Sequence, residues 1–157
     1  ERYAPQIAGA ICRRRQEKPI ETTLELVDVI RSAMPPAALR EKQHPAKRSF
    51  QAIRIEVNGE LDAIAPAIRD TASRLAPGGR IAIISFHSLE DRIVKNTYQE
   101  LASPCICPRD FPVCVCGRRA TLEIETRKPI LPSDSELSEN PRSRSAKLRV
   151  ATKLNQK

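Results

Sequence analysis

The sequence contains few aromatic residues, few glycines and no long apolar run. Only 3% of its 157 residues are aromatic, and none is tryptophan. Because proteins that bind single-stranded nucleic acid stack the bases on aromatic rings, this composition argues against a stand-alone domain of that kind. The five glycines never form the Gly-x-Gly-x-x-Gly pattern of a dinucleotide-binding loop. No segment approaches the roughly 18 apolar residues of a membrane-spanning helix and no signal-peptide pattern is present, so we expect a cytoplasmic chain without membrane contact.

The charge balance is strongly basic. Lysine and arginine number 27 against 19 acidic residues, which gives a net charge of +8. Such a chain is attracted to polyanions, nucleic acids among them, although many basic proteins bind no specific polyanion. A hydrophobic content of 40% suffices for a globular core at this length. Five cysteines in a cytoplasmic chain favour free thiols or metal ligands over disulfides.

Residues 81–84 are the most apolar segment of the chain. They comprise three isoleucines and one alanine, and they follow the turn-forming pair Gly78 and Gly79. A short β-branched run predicts a strand buried on both faces, as in parallel sheets. Helical periodicity on both sides predicts a helix before this strand and another after it. The order helix, strand, helix indicates an α/β fold.

Polar side chains follow this strand directly. Ser85, His87 and Ser88 occupy the corner between the strand and the next helix. Because ligands of open α/β sheets bind beyond the carboxyl ends of the strands, these three residues are candidate catalytic residues. The alternative is an ordinary strand-loop-helix unit in which Ser88 caps the helix and Asp91 completes a capping box.

Sequence periodicity predicts most of the remaining elements. We expect helices over residues 3–17, 22–34, 45–57 and 61–75, the second opened by a capping box from Thr22 to Glu25. Alternation predicts a strand over residues 121–126 and a final strand over residues 147–151, with a short helix starting at Ser133 between them.

Four cysteines form two Cys-x-Cys pairs in a loop at residues 105–117. Six residues separate the pairs, so the chain can fold back and place four sulfurs around one ion. A tetrahedral set of thiolates suits structural zinc, and the candidate ligands are Cys105, Cys107, Cys114 and Cys116. Cys-x-x-Cys is the commoner zinc spacing. Reduced thiols packed in a loop, and disulfides or another metal, are therefore kept as alternatives.

Three segments resemble motifs of the bacterial RsmH/MraW family, which methylates cytosine N4 in small-subunit (16S) ribosomal RNA. They are residues 44–61, HPAKRSFQAIRIEVNGEL, residues 85–95, SFHSLEDRIVK, and residues 140–149, NPRSRSAKLR. Their order and spacing also resemble the family's, and the resemblance extends over residues 1–154. It covers only the second half of the family's usual length.

The resemblance implies the C-terminal part of a class I, Rossmann-like methyltransferase that depends on S-adenosylmethionine. It makes residues 1–57 part of a helical insertion domain on the substrate side. Residues 58–157 become the C-terminal part of the methyltransferase domain, closed by an antiparallel last strand. The family's glycine-rich cofactor loop would precede Glu1, so we expect no cofactor-binding residue here and an inactive isolated chain. The expected partners are 16S ribosomal RNA in the small ribosomal subunit, the absent N-terminal half and, in a homodimer, a second copy.

The resemblance also favours RNA contacts by basic residues in or beside the three motifs. Arginine binds a phosphate through two parallel hydrogen bonds. The expected RNA-binding residues are Lys47, Arg48, Arg54, Arg92, Lys95, Arg142 and Arg144. Without the resemblance, ion pairs on an amphipathic surface helix and a basic, serine-rich loop explain the same pattern.

Methylation of an exocyclic amine requires a flipped base, alignment with the methyl donor and a route for one proton. His87 is the only side chain of the corner that titrates near neutral pH. It is therefore a candidate proton acceptor, with a structural hydrogen bond as the alternative. Two functions stay open: half of an RNA methyltransferase, or a non-catalytic basic RNA-binding or zinc-stapled module.

Overall fold

The structure is a computed structural model that describes residues 1–108 and 112–155. Residues 109–111 of the predicted cysteine-rich loop, and residues 156 and 157 of the predicted C-terminal domain, lie outside the described residues. The chain divides into two compact units, Glu1–Gly59 and Glu60–Lys157. Among the helices of the described residues, none is both long and apolar enough to cross a membrane.

The first unit is helical. Its helices are α1 Ala4–Glu17, α2 Thr23–Ser32, α3 Pro36–Leu39 and α4 Lys47–Asn58. The predicted capping box is confirmed, because Thr22 Oγ1 accepts the Glu25 N–H at 3.2 Å and Glu25 Oε2 accepts the Thr22 N–H at 3.0 Å. Ile7, Ile30 and Ala46 form the buried core of this unit.

The second unit combines helices with a small sheet. Its elements are α5 Ile64–Arg74, β1 Arg80–Ser85, α6 Ser88–Ala102, β2 Leu122–Ile124, α7 Asp134–Glu139, a 3₁₀ turn Pro141–Ser145 and β3 Lys147–Lys153. The strand order is β1-β3-β2, and β3 runs antiparallel to both neighbours. The expectation of an antiparallel last strand is therefore confirmed. β1 and β2 are parallel to each other and are connected through α6.

The prediction that β1 is covered on both faces, as in a parallel sheet, is wrong for this structure. In the described residues β1 pairs only with the antiparallel β3, so it is an edge strand. Ile81 is 6% exposed, whereas Ile84 is 59% exposed. Helices cover one face of the sheet, and a β-branched run alone does not reveal whether a second layer covers the other face.

The core of the second unit lies between the sheet and two helices. Ile68 and Ala72 of α5 and Val94 of α6 pack with buried residues of the strands. The Tyr98 hydroxyl on α6 donates a hydrogen bond of 3.0 Å to the Ile81 carbonyl oxygen of β1. Burial raises the pKa of Tyr98 to about 12. This hydrogen bond and the apolar packing fix the position of α6 on the sheet, and with it the corner that follows β1.

Candidate functional site

The corner between β1 and α6 is built by a capping box. His87 has an extended backbone and is the N-cap of α6, and its Nδ1 accepts the Glu90 N–H at 3.4 Å. Glu90 Oε2 in turn accepts the backbone N–H groups of Phe86 at 2.8 Å and His87 at 3.1 Å. The expected box from Ser88 to Asp91 is wrong by one residue, because an imidazole nitrogen can accept the same hydrogen bond as a serine oxygen.

The capping box determines which nitrogen of His87 carries a proton. Because Nδ1 accepts a hydrogen bond, the neutral imidazole carries its hydrogen on Nε2. Nε2 is buried and has no hydrogen-bond partner of normal geometry in the described residues, although Glu90 Oε1 lies 3.1 Å away. His87 is thus anchored by one nitrogen and has unused hydrogen-bonding capacity on the other.

Asp91 serves the second unit through a different contact. The Arg149 side chain of β3 donates to it twice, from Nε to Oδ1 at 2.6 Å and from Nη2 to Oδ2 at 3.0 Å. Arg149 is only 6% exposed. Hydrogen bonding to Arg149 lowers the pKa of Asp91, although burial acts in the opposite direction. This bidentate pair ties the first turn of α6 to the central strand of the sheet.

The sequence patterns did not indicate Arg149 as a structural partner of Asp91. The alternation of the last strand contained a usable signal, since positions 147, 149 and 151 lie on one face of a strand. Ala151 of that face is buried in the core against α5 and α6. A cation on the same face therefore needs a carboxylate from a covering helix.

Several of the predicted RNA-binding residues lie near this corner. In the register of β1 with β3, Ser85 is opposite Lys147, so the segment leading into β3 lies at the carboxyl end of β1. The 3₁₀ turn with Arg142 and Arg144 directly precedes Lys147, and both arginines are exposed. The Lys147 Nζ is 3.9 Å from Asp91 Oδ2.

Two further predicted RNA-binding residues project from α6. Arg92 and Lys95 are exposed, and the charge of Lys95 contributes to lowering the pKa of Asp91. Together with the 3₁₀ turn and the start of β3, they form a basic rim around the corner, which we call the corner rim: Arg92, Lys95, Arg142, Arg144 and Lys147.

The three candidate catalytic residues differ in accessibility. Ser85 is 4% exposed, His87 is half-buried and Ser88 is exposed on the first turn of α6. Apolar side chains accompany them, with Phe86 57% and Leu89 42% exposed. The accessible surface of the corner therefore consists of one hydroxyl and two apolar side chains, whereas Ser85 and the imidazole lie behind it.

The remaining predicted RNA-binding residues belong to the first unit. Lys47, Arg48 and Arg54 are all exposed on α4. Arg48 also lines a shallow hollow with His44 and Glu41. Arg54 already has an interaction partner within the chain.

The four predicted metal ligands come together in space. The sulfurs of Cys105, Cys107, Cys114 and Cys116 all lie within 4.8 Å of one another, and all four thiols are free. Backbone hydrogen bonds from Ile106 and then Arg118 lower the pKa of Cys116 to about 6.

Comparisons with known proteins agree over nearly the whole chain. A sequence model of the MraW methylase family matches residues 1–154. Ribosomal RNA small subunit methyltransferase H of Carboxydothermus hydrogenoformans is 56% identical over 154 residues, which is 98% of this chain and 49% of the relative. The protein of the same name from Clostridioides difficile is 58% identical over 154 residues, 98% of this chain and 50% of the relative. The chain thus spans about half the length of the curated relatives it matches.

Proposed function

Because the chain belongs to the MraW methylase family, we propose that it forms the RNA-facing part of an enzyme that methylates cytosine N4 in small-subunit ribosomal RNA. S-adenosylmethionine is the methyl donor in this proposal. The observation that carries it is the match over residues 1–154, which includes the corner, its basic rim and α4. The two relatives are both named ribosomal RNA small subunit methyltransferase H, and this supports the choice of substrate.

We propose that S-adenosylmethionine binds outside the described residues. One groove among the described residues, about 850 Å³ in volume, lies between α6 and β2. Its charged lining residues are Lys95, Arg127, Arg149 and Glu123. Three cations with one carboxylate disfavour the positively charged sulfonium of the donor. We therefore assign the donor to the part of the relatives that this chain does not cover, and we assign no chemical step to the groove.

In this proposal the corner rim holds the RNA backbone. Its five cations extend from the 3₁₀ turn and the start of β3 to the first turns of α6, and three of them, Arg92, Arg142 and Arg144, are exposed arginines. Arginine suits phosphate because its planar fork donates two parallel hydrogen bonds. The exposed ring of Phe86 and the exposed side chain of Leu89 then offer an apolar surface to a base that has left its stack.

His87 acts in this proposal as a positioning residue. Its Nδ1 is occupied by the capping box and its Nε2 is buried, so the imidazole holds the corner in shape and does not touch the base. Ser88 is exposed and is the candidate for a direct hydrogen bond to the substrate, whereas Ser85 is buried at the end of β1 and supports the turn.

The contact with RNA can be tested on the chain itself. We expect its affinity for a small-subunit ribosomal RNA fragment to fall with salt, and Arg142→Ala with Arg144→Ala should reduce the slope of log affinity against log salt by about one per contact removed. Arg74→Ala is the matched control, because Arg74 ends α5 on the side where the chain enters β1. Equal slopes for the double variant and the control would contradict the proposed RNA-binding rim.

Catalysis can be tested with a hybrid enzyme. The part of the Carboxydothermus relative that the match leaves uncovered is joined to this chain, and methylation of small-subunit ribosomal RNA is measured with labelled donor. We expect methyl transfer by the hybrid and none by this chain alone. If the chain binds RNA but a folded hybrid does not methylate it, the two results together would instead support the non-catalytic RNA-binding module. Methylation by the chain alone would contradict the assignment of the donor site.

A further inference from the structure

The cysteine-rich loop is closed at its base by the protein backbone. It leaves α6 after Ala102 and reaches β2 at Leu122. The Thr121 N–H donates to the Leu101 carbonyl oxygen at 2.8 Å, so the two ends of the loop are adjacent. The four cysteines lie beyond this closure, and their arrangement must therefore be stabilised within the loop.

The large apolar side chains among the described residues of the loop do not provide that stabilisation. Between and beside the cysteines, Ile106 is 65%, Val113 69% and Val115 73% exposed. These three side chains thus face solvent, whereas the four sulfurs lie close to one another. Because hydrophobic burial is the usual driving force for a compact loop, an arrangement without it requires another source of free energy.

The spacing of the sulfurs matches one tetrahedral ion. Cys114 Sγ lies 3.5 Å from Cys105 Sγ, 3.9 Å from Cys107 Sγ and 3.4 Å from Cys116 Sγ, and the distance from Cys116 Sγ to Cys105 Sγ is 3.9 Å. Four sulfurs at zinc–sulfur distances of about 2.3 Å form a tetrahedron with edges of about 3.8 Å. We propose that Cys105, Cys107, Cys114 and Cys116 bind one structural zinc ion.

A backbone N–H group of the loop is directed at one of the proposed ligands. The Val115 N–H donates to Cys107 Sγ at 3.4 Å. Such a donor stabilises a thiolate and orients it towards a metal. Gly117 directly follows Cys116 and adopts a left-handed conformation with φ of +64°, which turns the chain after the last proposed ligand.

The same distances argue against two other states of the loop. A disulfide requires sulfurs about 2.05 Å apart, which is far shorter than each of these four distances. In a cluster of several irons the four cysteines are divided among the iron atoms, so some of their sulfurs lie farther apart than the edges of a single tetrahedron. A single metal ion therefore fits best, and elemental analysis distinguishes zinc from a single iron. Binding of the zinc ion forms four zinc–sulfur bonds and releases the protons of those thiols that were still protonated.

The test is elemental analysis of the full chain purified without chelator. We expect about one zinc per chain in the wild type, and less than about one-tenth of that in Cys107→Ser and Cys116→Ser. Cys12→Ser is the matched control, since Cys12 is also an exposed free thiol but lies on α1 in the other unit. It should keep the wild-type zinc content.

A second measurement guards against variants that fail to fold. The wild-type chain is stripped with chelator and titrated with Co²⁺, and absorption is recorded. One equivalent should give the intense visible bands and sulfur charge-transfer bands of a tetrahedral tetrathiolate site, and added Zn²⁺ should abolish them. Four results would each overturn the proposal. The wild-type chain could contain no zinc, or it could contain iron in place of zinc. The Co²⁺ spectrum could lack sulfur charge-transfer bands, or Cys12→Ser could lose its zinc.

Discussion

The corner at residues 85–91 and the four-cysteine loop are both turns that follow a regular element, but different interactions hold them. The corner is fixed by a helix cap, a bidentate ion pair to a buried arginine and a helix packed on the sheet. In the described part of the loop, Ile106, Val113 and Val115 are exposed and the four sulfurs lie close to one another. The corner can therefore form from the chain alone, whereas we expect the loop to need a metal. One unit thus contains a corner that its core shapes and a loop that, in our proposal, a bound metal shapes.

Loss of Arg149 should give the largest effect on the corner. Arg149→Ala leaves the mostly buried Asp91 carboxylate without its two hydrogen bonds, so we expect the free energy of unfolding to fall by roughly 3 kcal/mol. Urea unfolding measures the change. Arg80→Ala is the control, because its pair with Glu125 at 2.8 Å is exposed and should contribute less than about 1 kcal/mol. If the two variants are equally stable, the corner does not depend on its buried pair.

The next largest effect should be a difference between the two regions in amide hydrogen exchange after the metal is removed. After treatment with chelator we expect amide hydrogen exchange at Val115 to accelerate at least about tenfold, because its N–H group loses the fixed Cys107 sulfur to which it donates. The amides of β1 that pair with β3 should exchange at an unchanged rate. Equal acceleration in both regions would mean that the loop and the corner form one cooperative unit.

Substitution of His87 should have a smaller effect on stability and should decide its role. His87→Ala removes the cap and is expected to cost about 1 kcal/mol, whereas His87→Asn keeps a good capping residue and should cost only a few tenths. In the hybrid enzyme His87→Asn should retain most of its methylation activity, since asparagine can cap the helix but cannot transfer a proton at neutral pH. A stable but inactive His87→Asn enzyme would make His87 the proton acceptor.

The smallest expected effect is a change in the pH dependence of stability. Hydrogen bonds from Arg149 hold the pKa of Asp91 below its ordinary value of 3.8, so the unfolded chain binds this proton more readily than the folded chain. The stabilisation is complete above the ordinary value and is lost as pH falls through the lowered one. Asp91→Asn should therefore lose less stability than the wild type as the pH falls below about 4. The pKa values of Glu25 and Glu125 are also lowered. Both residues are present in the wild type and in Asp91→Asn, so their contributions cancel in the difference between the two pH profiles. Parallel pH profiles would contradict the importance of the buried pair.

Local patterns predicted most of the elements correctly. The helices at α1, α2, α4, α5 and α6 and the strands β2 and β3 lie close to their predicted positions, because periodicity, prolines and capping residues are local signals. The capping box at Thr22 was predictable for the same reason. The box at His87 was predicted one residue late, since serine is the commoner cap and histidine is seldom considered.

Relations between distant segments were less predictable. The pair of Asp91 with Arg149 joins residues 58 positions apart, and the exposure of Ile84 depends on which strand pairs with β1. Neither follows from a local window. The proximity of four cysteine sulfurs was predictable from spacing alone because both pairs lie within one short loop.

The most direct test of the central functional claim is a calorimetric titration with S-adenosylmethionine. The claim is that this chain presents the RNA-facing corner while the methyl donor binds to residues it does not contain. We predict no measurable binding to this chain alone and stoichiometric binding to the hybrid with the uncovered part of the relative. Stoichiometric binding of the donor to this chain by itself would contradict the claim.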